Sequence, residues 1–382
     1  MKQWSTVLIA DLHLKSRDSY GVDTGNGGLD TRTLRRLWLL DQAVDYAVDN
    51  QVDCFTILGD LFNSRTISEA VREQVARRFL RLEGAGIKDI LFVPGNHELY
   101  QGHVPLLSDS VLFPRLQVIV EPCKPWSDLP IFCVPDLGKA KVEEAINSAV
   151  DLCRDDSIKA PILFGHFAVA GAYMTDTEVN TRGVDPELLK KFPVVLLGDF
   201  HRKQLFDGSV PQGYTNDRDF LRGYVGSLAR NSFSEEHQQK GFAHLAVEQS
   251  PEDDGNFRYI AKVIPVEDDP FVTIDVTDGG MDKFAGNLPD VASAIVRIRF
   301  YGTDDWFSGL PVADMVDLCY GEGAQFVKTE PTITVSGVAP VVGEETLEFD
   351  VYKTVTAAAK NKQQNLTMGL RYIGDALTKV GN

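Results

Sequence analysis

Positive charge is scarce in this chain: 38 lysines and arginines face 55 aspartates and glutamates across 382 residues, a formal net charge of −17. A protein that grips nucleic acid alone draws most of its affinity from neutralised phosphates. So acidic a chain therefore ignores nucleic acid, binds it locally, or borrows a partner's positive surface. Cysteine is scarce too. The five present (Cys54, Cys123, Cys133, Cys153, Cys319) are odd in number and form no CxxC pair, which argues against a disulfide framework or a cysteine zinc site. Cys54 and Cys133 lie in apolar runs, where a thiol behaves as a small buried hydrophobe. Long apolar runs are missing: none reaches the roughly 18 residues of a membrane-spanning helix. The opening MKQWSTVLIADLHL is interrupted by Asp11 and lacks a small-residue cleavage site, so it reads as a buried strand and not a signal peptide. The expectation is a cytoplasmic protein with no membrane contact. Repeats and low-complexity segments are also lacking.

What remains is ordinary globular composition, 43% apolar and 24% charged, enough for a sizeable core and unlike a disordered chain or a coiled-coil rod. At roughly 100–200 residues per domain, the length predicts two or three domains. Over the first 200 residues, almost continuously apolar runs alternate with segments of helical period. Thr6–Ala10, Cys54–Leu58, Ile90–Val93, Ile131–Val134, Pro161–Phe164 and Val194–Leu197 read as buried strands. A helix of about twenty residues, capped by Asp30 or Thr31, follows the first strand with Leu34, Leu37, Trp38, Val44, Ala47 and Val48 as its apolar positions. A second carries Ile67, Val71, Val75, Phe79 and Leu82 up to Gly84 and Gly86, and a third lies around Val142–Cys153. This alternation predicts a layered α/β core. After Asp199 the texture turns to strands, YVGSLARNSF and GFAHLAVEQ, with EQSPEDDGN as a hairpin tip and PVEDDP at 265–270 as the candidate linker. Beyond it Phe271–Val276, Ala294–Phe300, a helix near Pro311–Leu318, and strands near Phe326–Lys328 and Thr332–Val335 predict a small α+β unit. The expected organisation is 1–266 as the main domain, 267–342 as the small one and 343–382 as a helical segment. In that last segment Val351, Val355, Leu366, Leu370, Ile373 and Leu377 offer apolar positions for docking a partner.

Five short motifs close the buried strands: Asp11-Leu12-His13, Gly59-Asp60-Leu61-Phe62-Asn63, Pro94-Gly95-Asn96-His97-Glu98, Gly165-His166-Phe167 and Gly198-Asp199-Phe200-His201. Ligand chemistry in open α/β sheets gathers outside the carboxyl ends of strands. Each motif supplies a carboxylate, imidazole or amide oxygen, and Asp-x-His sets two such groups on one side of an extended segment. Any one of them alone could be a turn or a hydrogen-bonded histidine. Five in order point to a two-metal centre of the kind phosphatases and nucleases use.

In this order the motifs resemble those of the calcineurin-like metallophosphoesterases, whose core is a β-sandwich flanked by helices. GDLFN, GHFAVAGA and especially GYVGSLARNSFSEEHQQKGF at 223–242 are similar to the SbcD-type repair exonucleases. The chain length also suits a phage recombination endonuclease subunit, which would act in the host cytoplasm. The resemblance implies one metal held by Asp11, His13, Asp60 and His201, and a second held by Asp60, Asn96, His166 and Asp199, with Asp60 bridging. It implies two divalent ions, Mn²⁺ first and Mg²⁺ second. It also implies His97 acting on the leaving oxygen, Glu98 orienting His97, a small capping domain, and C-terminal helices that dock on an SbcC-type ATPase of the ABC family. His103, His237 and His244 match no motif and read as surface or structural.

One position departs from the family: Gly-Asp-Phe-His stands where Gly-His-x-His is usual, so Asp199 is either a substituted ligand or the mark of a degenerate, silent scaffold. Carboxylate oxygen suits Mn²⁺ and Mg²⁺, and the other positions are intact, which favours substitution. The expected activity is hydrolysis of DNA phosphodiesters by a homodimeric nuclease subunit. Arg202 and Lys203, with Arg218, Arg222 and Arg230 nearby, are candidates for DNA contact. The alternatives are a small-molecule or nucleotide phosphoesterase and a regulatory subunit of an ATPase.

Overall fold

The computed structural model of the protein describes residues 3–333, apart from 26–27, 101–103, 105–114, 156–157, 159, 176–177, 207–221, 250–256 and 278–279. His103, Arg218, residues 250–256 of the expected hairpin tip and the expected docking segment at 343–382 lie outside the described residues. Two sheets form the body. The first has the order β11-β10-β1-β2-β3-β4, with β1 (Gln3–Ile9), β2 (Cys54–Ile57), β3 (Asp89–Phe92) and β4 (Leu116–Val118) parallel. The antiparallel hairpin of β10 (Gly241–Gln249) and β11 (Phe257–Pro265) is added beside β1. The second has the order β5-β6-β7-β9-β8, with β5 (Ile131–Val134), β6 (Ile162–His166), β7 (Val194–Gly198) and β9 (Arg222–Tyr224) parallel, and the two-residue β8 (Gln204–Leu205) antiparallel on β9.

Alternation along the strands explains the layers. Leu8 and Ala10 of the first sheet join Cys133, Phe164 and Leu196 of the second in one core between the sheets. Val7 and Ile9 point the other way, onto α1 (Thr31–Asp49) and α2 (Glu69–Gly84). Phe132, Leu163 and Val195 likewise meet α3 (Lys139–Asp155) and the short α4 (Pro186–Leu189). Strands apolar on both faces are what such burial requires. The body is thus helix, sheet, sheet, helix, the sandwich flanked by helices that the motifs imply.

The third sheet, β12-β13-β14, belongs to a smaller unit. Its strands β12 (Phe271–Val276), β13 (Ile295–Gly302) and β14 (Phe326–Ile333) are parallel, with α5 (Met281–Gly286), α6 (Asp304–Ser308) and α7 (Val312–Gly321) between them. Val296, Ile298 and Phe300 enter a separate core with Met315 and Cys319, while Arg297 and Arg299 take the opposite face. One continuous strand over Phe326–Ile333 replaces the two expected there.

Three expectations need correction. YVGSLARNSF is a strand only to Tyr224. Gly226 takes φ +82°, a left-handed value that favours glycine and breaks an extended run, and a 3₁₀ turn follows at Phe233–Glu235. On α1, capped by the Asp30 carboxylate, Leu34 and Trp38 are exposed, whereas Arg32 and Arg36 are buried. Arg36 is paired there with Asp18, and the partners of Arg32 bring the third correction: 265–270 is no free linker but a clamped strap. Arg32 Nη1 lies 3.0 Å from both Asp268 Oδ1 and Asp269 Oδ2, and Arg35 Nε lies 2.7 Å from Asp269 Oδ1. Arg230 donates its backbone N–H to Asp268 Oδ2 at 2.7 Å and its guanidinium to Asp269 O at 3.3 Å. That occupation withdraws Arg230 from the candidate DNA contacts.

Removing one partner of a buried ion pair strands the other charge in a poor solvent, at a cost of about 3–5 kcal/mol. Asp269→Ala, which leaves Arg32 and Arg35 short of an acceptor, is therefore expected to lose stability in that range in urea unfolding. A change under about 0.5 kcal/mol, the usual effect of a surface substitution, would show the strap to be dispensable.

Candidate metal centre

Parallel strands end on one side, and the two sheets bring their carboxyl ends to a common seam. The backbone there is strained where chemistry is expected. Asp11, His13, Asp60 and Asp199 have φ of 50°, 49°, 49° and 102°. Left-handed conformations are costly for such residues and persist where the surroundings over-determine them, often at functional sites. Gly59, at φ +79°, also leaves room: a Cβ there would collide with the His166 ring.

The side chains converge. Asp11, His13 and His201 form one potential metal-holding cluster, His13, Asp60 and His97 a second, and Asp11, Asp60 and His166 a third. His166 Nε2 lies 3.7 Å from Asp60 Oδ1 and 3.8 Å from Asp199 Oδ1. Asp199 also donates its backbone N–H to Asp11 Oδ1 at 3.1 Å, which ties the ends of β7 and β1 together. Asn96 is the exception among the expected ligands. It is exposed on its turn, although its neighbours abut the cluster: His97 donates its N–H to Asp60 Oδ1 at 3.2 Å, and a Cβ on Gly95 would collide with Asp60 and His166.

The ring nitrogens fix their own roles. His166 Nδ1 lies 2.8 Å from Leu58 O, and because a carbonyl only accepts, Nδ1 carries the proton. Nε2 is thus the nitrogen left to meet a metal on giving up its proton, and it is buried without a hydrogen-bond partner. A carbonyl that orients one nitrogen so that the other can bind a metal is the usual arrangement for a ligating histidine. His13 Nε2 and His201 Nε2 stand 2.9 Å apart. His97 Nδ1 is 2.7 Å from Asn63 O, so its Nε2 is the nitrogen turned toward Asp60 Oδ2, at 3.8 Å.

Charge agrees with geometry. Burial first, and then Asp60 and Asp199, push the Asp11 carboxyl up to about 7 against the pull of His166 and His201. Burial likewise raises Asp199. For His166, burial opposes the charged form, yet Asp60, Asp11 and Asp199 carry it up to about 9. Buried carboxylates pushed toward protonation, around an imidazole that they hold in its charged form, are a site short of positive charge, and divalent cations would supply it by displacing those protons.

Glu98 does something other than orient His97. Its fully buried carboxylate accepts the backbone N–H groups of Asp60 and Gly95 on Oε2, at 2.9 and 3.1 Å, and of Phe62 on Oε1, at 2.9 Å. It pins the turns after β2 and β3 to each other, and the carbonyl of Asn63 holds His97 in its place. Burial and then Asp60 push Glu98 up to about 8.

The sequence pattern leaves several supporting residues unassigned. Glu235 Oε1 accepts from His201 Nδ1 at 2.8 Å, and its Oε2 meets Lys240 Nζ at 2.6 Å. Burial opposes its charge, but Lys240 and His201 outweigh that and hold Glu235 at about 2. Asn231 accepts from Arg36 Nη1 at 2.6 Å and reaches Asp11 O at 3.4 Å. Glu235 and Lys240 do lie in the SFSEEHQQKGF stretch, but nothing in it says which of its acids is buried. Arg202 lies over the Tyr173 ring at 5.4 Å. Lys203 is half-buried, which lowers its ammonium to about 8. Arg222 is exposed, as is His237, and His244 is packed with its Nδ1 3.0 Å from the Tyr46 hydroxyl.

The profile of the calcineurin-like phosphoesterases matches residues 5–203. The chain is 25% identical over 242 residues to a subunit of nuclease SbcCD from Staphylococcus epidermidis, an alignment covering 56% of this chain and 60% of that protein. The chain thus spans about three fifths of the curated relative it matches. Among solved structures it is similar to a dimetal phosphatase from Danio rerio at 12% identity and a TM-score of 0.39, covering 69% of this chain and 98% of that one. A Thermus thermophilus protein gives 12% identity and a TM-score of 0.35, covering 68% and 98%. No helix among the described residues is long and apolar enough to cross a membrane. With the family profile spanning more than half of its length, over the stretch that contains all five strand-end motifs, the chain belongs to the calcineurin-like phosphoesterase family, and so to the metal-dependent hydrolases of phosphoesters.

Proposed function

We propose that the chain is a two-metal phosphodiesterase that cuts DNA, the nuclease subunit of an SbcCD-like complex. The observation that carries the chemistry is the buried, unpartnered Nε2 of His166 facing the carboxylates of Asp60 and Asp199. In this reading Asp11, His13, Asp60 and His201 hold one ion, and Asp60, His166 and Asp199 hold the other together with Asn96, which must turn its amide inward. Two divalent ions would supply charge to neutralise phosphoryl oxygens and would activate the attacking water. The protein's own groups do the rest. His97, its Nδ1–H on Asn63 O, would carry a second proton on Nε2 and give it to the leaving oxygen, and Glu98 keeps the turns of Asp60 and His97 in register. Arg202, braced on Tyr173, and Lys203 offer positive charge beside His201.

The choice of DNA over a small phosphoester rests on the name of the Staphylococcus epidermidis relative and on the motif at 223–242. An SbcC-type ATPase partner would answer the acidity of the chain by providing the positive surface, with residues 267–342 as a capping domain and 343–382 as the docking segment. Mn²⁺ is the expected ion and a homodimer the expected state.

Purified protein with Mn²⁺ should degrade linear duplex DNA and leave a nucleotide monophosphate ester largely intact. The reverse preference would reassign it as a small-molecule phosphoesterase. Because metal binds the folded state selectively, Mn²⁺ should raise the melting temperature of the parent and fail to do so for Asp60→Ala.

His166→Ala should abolish turnover with the loss of an ion. His97→Ala should retain both ions by metal analysis and lose about 10²–10⁴-fold in rate, the range for a positioned proton donor. An empty His97→Ala protein would make His97 a ligand instead. Asp199→Ala should lose one ion and most activity, while Asp199→His, which restores the commoner motif, should stay active. Deleting 345–382 should spare cleavage of short substrates and end co-purification with the ATPase.

A further inference from the structure

The turn Ser232–Glu236 has two faces that serve different parts of the molecule. Toward the metal centre it presents Glu235, whose carboxylate receives His201 Nδ1 and is itself gripped by Lys240. Lys240 Nζ also donates to His201 O at 3.1 Å and Ser227 Oγ at 2.8 Å, and Asn231 N–H reaches Glu235 Oε2 at 3.2 Å. His201 is thus fixed at its ring and at its backbone by one short segment.

Toward the three-stranded unit the same turn presents Phe233 and Glu236. The Phe233 ring sits edge-on to Phe271 at 4.8 Å, with the Arg297 guanidinium 4.4 Å and the Lys328 ammonium 5.1 Å from its centroid. Glu236 accepts from Thr273 twice, from N–H at 2.8 Å and from Oγ1 at 2.6 Å. Phe271, Thr273, Arg297 and Lys328 all come from the first rows of β12, β13 and β14. Thus the unit seats on the turn that holds His201, and between Phe233, Glu235 and Glu236 there is no length of chain in which a displacement could be absorbed.

We propose that the three-stranded unit positions the metal centre: its seating on Phe233 and Glu236 sets the place of Glu235 and, through it, of His201. The consequence for metal binding rests on the two-metal reading above. Phe233, Glu236 and Thr273 are positioning residues in this scheme, since none of them touches the centre. It follows that any event that lifts the unit loosens the ion held by His201 before the one held by His166.

The test uses the full chain as Phe233→Ala, Glu236→Ala and Glu236→Gln, the last of which keeps an acceptor and a polar partner for Thr273. Backbone hydrogen exchange without metal is read over 199–203, and Mn²⁺ binding is measured by calorimetry. Phe233→Ala and Glu236→Ala should each speed exchange at 199–203 at least tenfold and weaken one of two Mn²⁺ sites at least tenfold, with the other within twofold of the parent. Glu236→Gln should restore both readouts. Should Phe233→Ala not fold, the Glu236 pair decides. Parental exchange at 199–203 in a variant whose β12 exchanges faster would overturn the coupling, as would equal weakening of both Mn²⁺ sites. A parent protein that binds no Mn²⁺ would instead overturn the two-metal reading, and the exchange measurement would still decide the coupling.

Discussion

Three carboxylates, Asp11, Asp60 and Asp199, share one desolvated place with the imidazoles of His13, His166 and His201, and their mutual repulsion is the constraint around which the rest is arranged. Like charges in a poor solvent move apart where they can, and where they are held together they favour the protonated form. Here the restraint is covalent and nearby: left-handed backbone at Asp11, His13, Asp60 and Asp199, each directly after a buried strand or within a few residues of its end. The sandwich supplies the rigidity that such turns need. Cores on both faces of each sheet keep the strand ends from relaxing, so the strain stays at the seam.

Supporting groups form a second set of restraints. Glu98 ties the turns after β2 and β3 through three backbone N–H groups. Arg36 donates to Leu12 O at 2.6 Å and pairs with Asp18 at 3.0 Å, which holds the first motif from below. Glu235 and Lys240 hold the last. Replacing such buried groups with apolar ones is often neutral for stability. Their value here is geometric, because each one fixes where a turn or a ring sits.

The strand-end motifs are legible in the sequence because each announces itself twice, by an apolar run and by the polar residue that stops it. The sandwich and the smaller α+β unit follow from the same alternation. The supporting residues are not legible, for a physical reason. A buried Arg32 or Arg36 looks in sequence like a solvated helix face, and helical periodicity then turns Leu34 and Trp38 inward in their place. The strap Asp268–Asp269, with Asp268 236 residues beyond Arg32, makes Arg32 tolerable inside, and Asp18 does the same for Arg36. Adjacency in sequence gives Glu98 to His97. Adjacent residues on a tight turn face different ways, and the nearest unmet donors are backbone amides. Asn96, picked out by its motif, is exposed, and no rule of pattern indicates that.

The central position of β1 also governs how the molecule is made. Its edge is covered on one side by β2 and on the other by β10, with Gln3 paired to Glu248. During synthesis the first sheet therefore has an open, apolar edge until the chain has grown past residue 249, and the second sheet waits for β9 at 222–224. Pairings of such long sequence separation form slowly, and an unpaired apolar edge invites association with other chains. The chain thus keeps that edge open while most of it is already built, and Glu235 and Lys240 come just before the strand that covers it. Assembly of the buried acidic cluster is in this way deferred to the moment when its supporting cations and hydrogen-bond donors are all present.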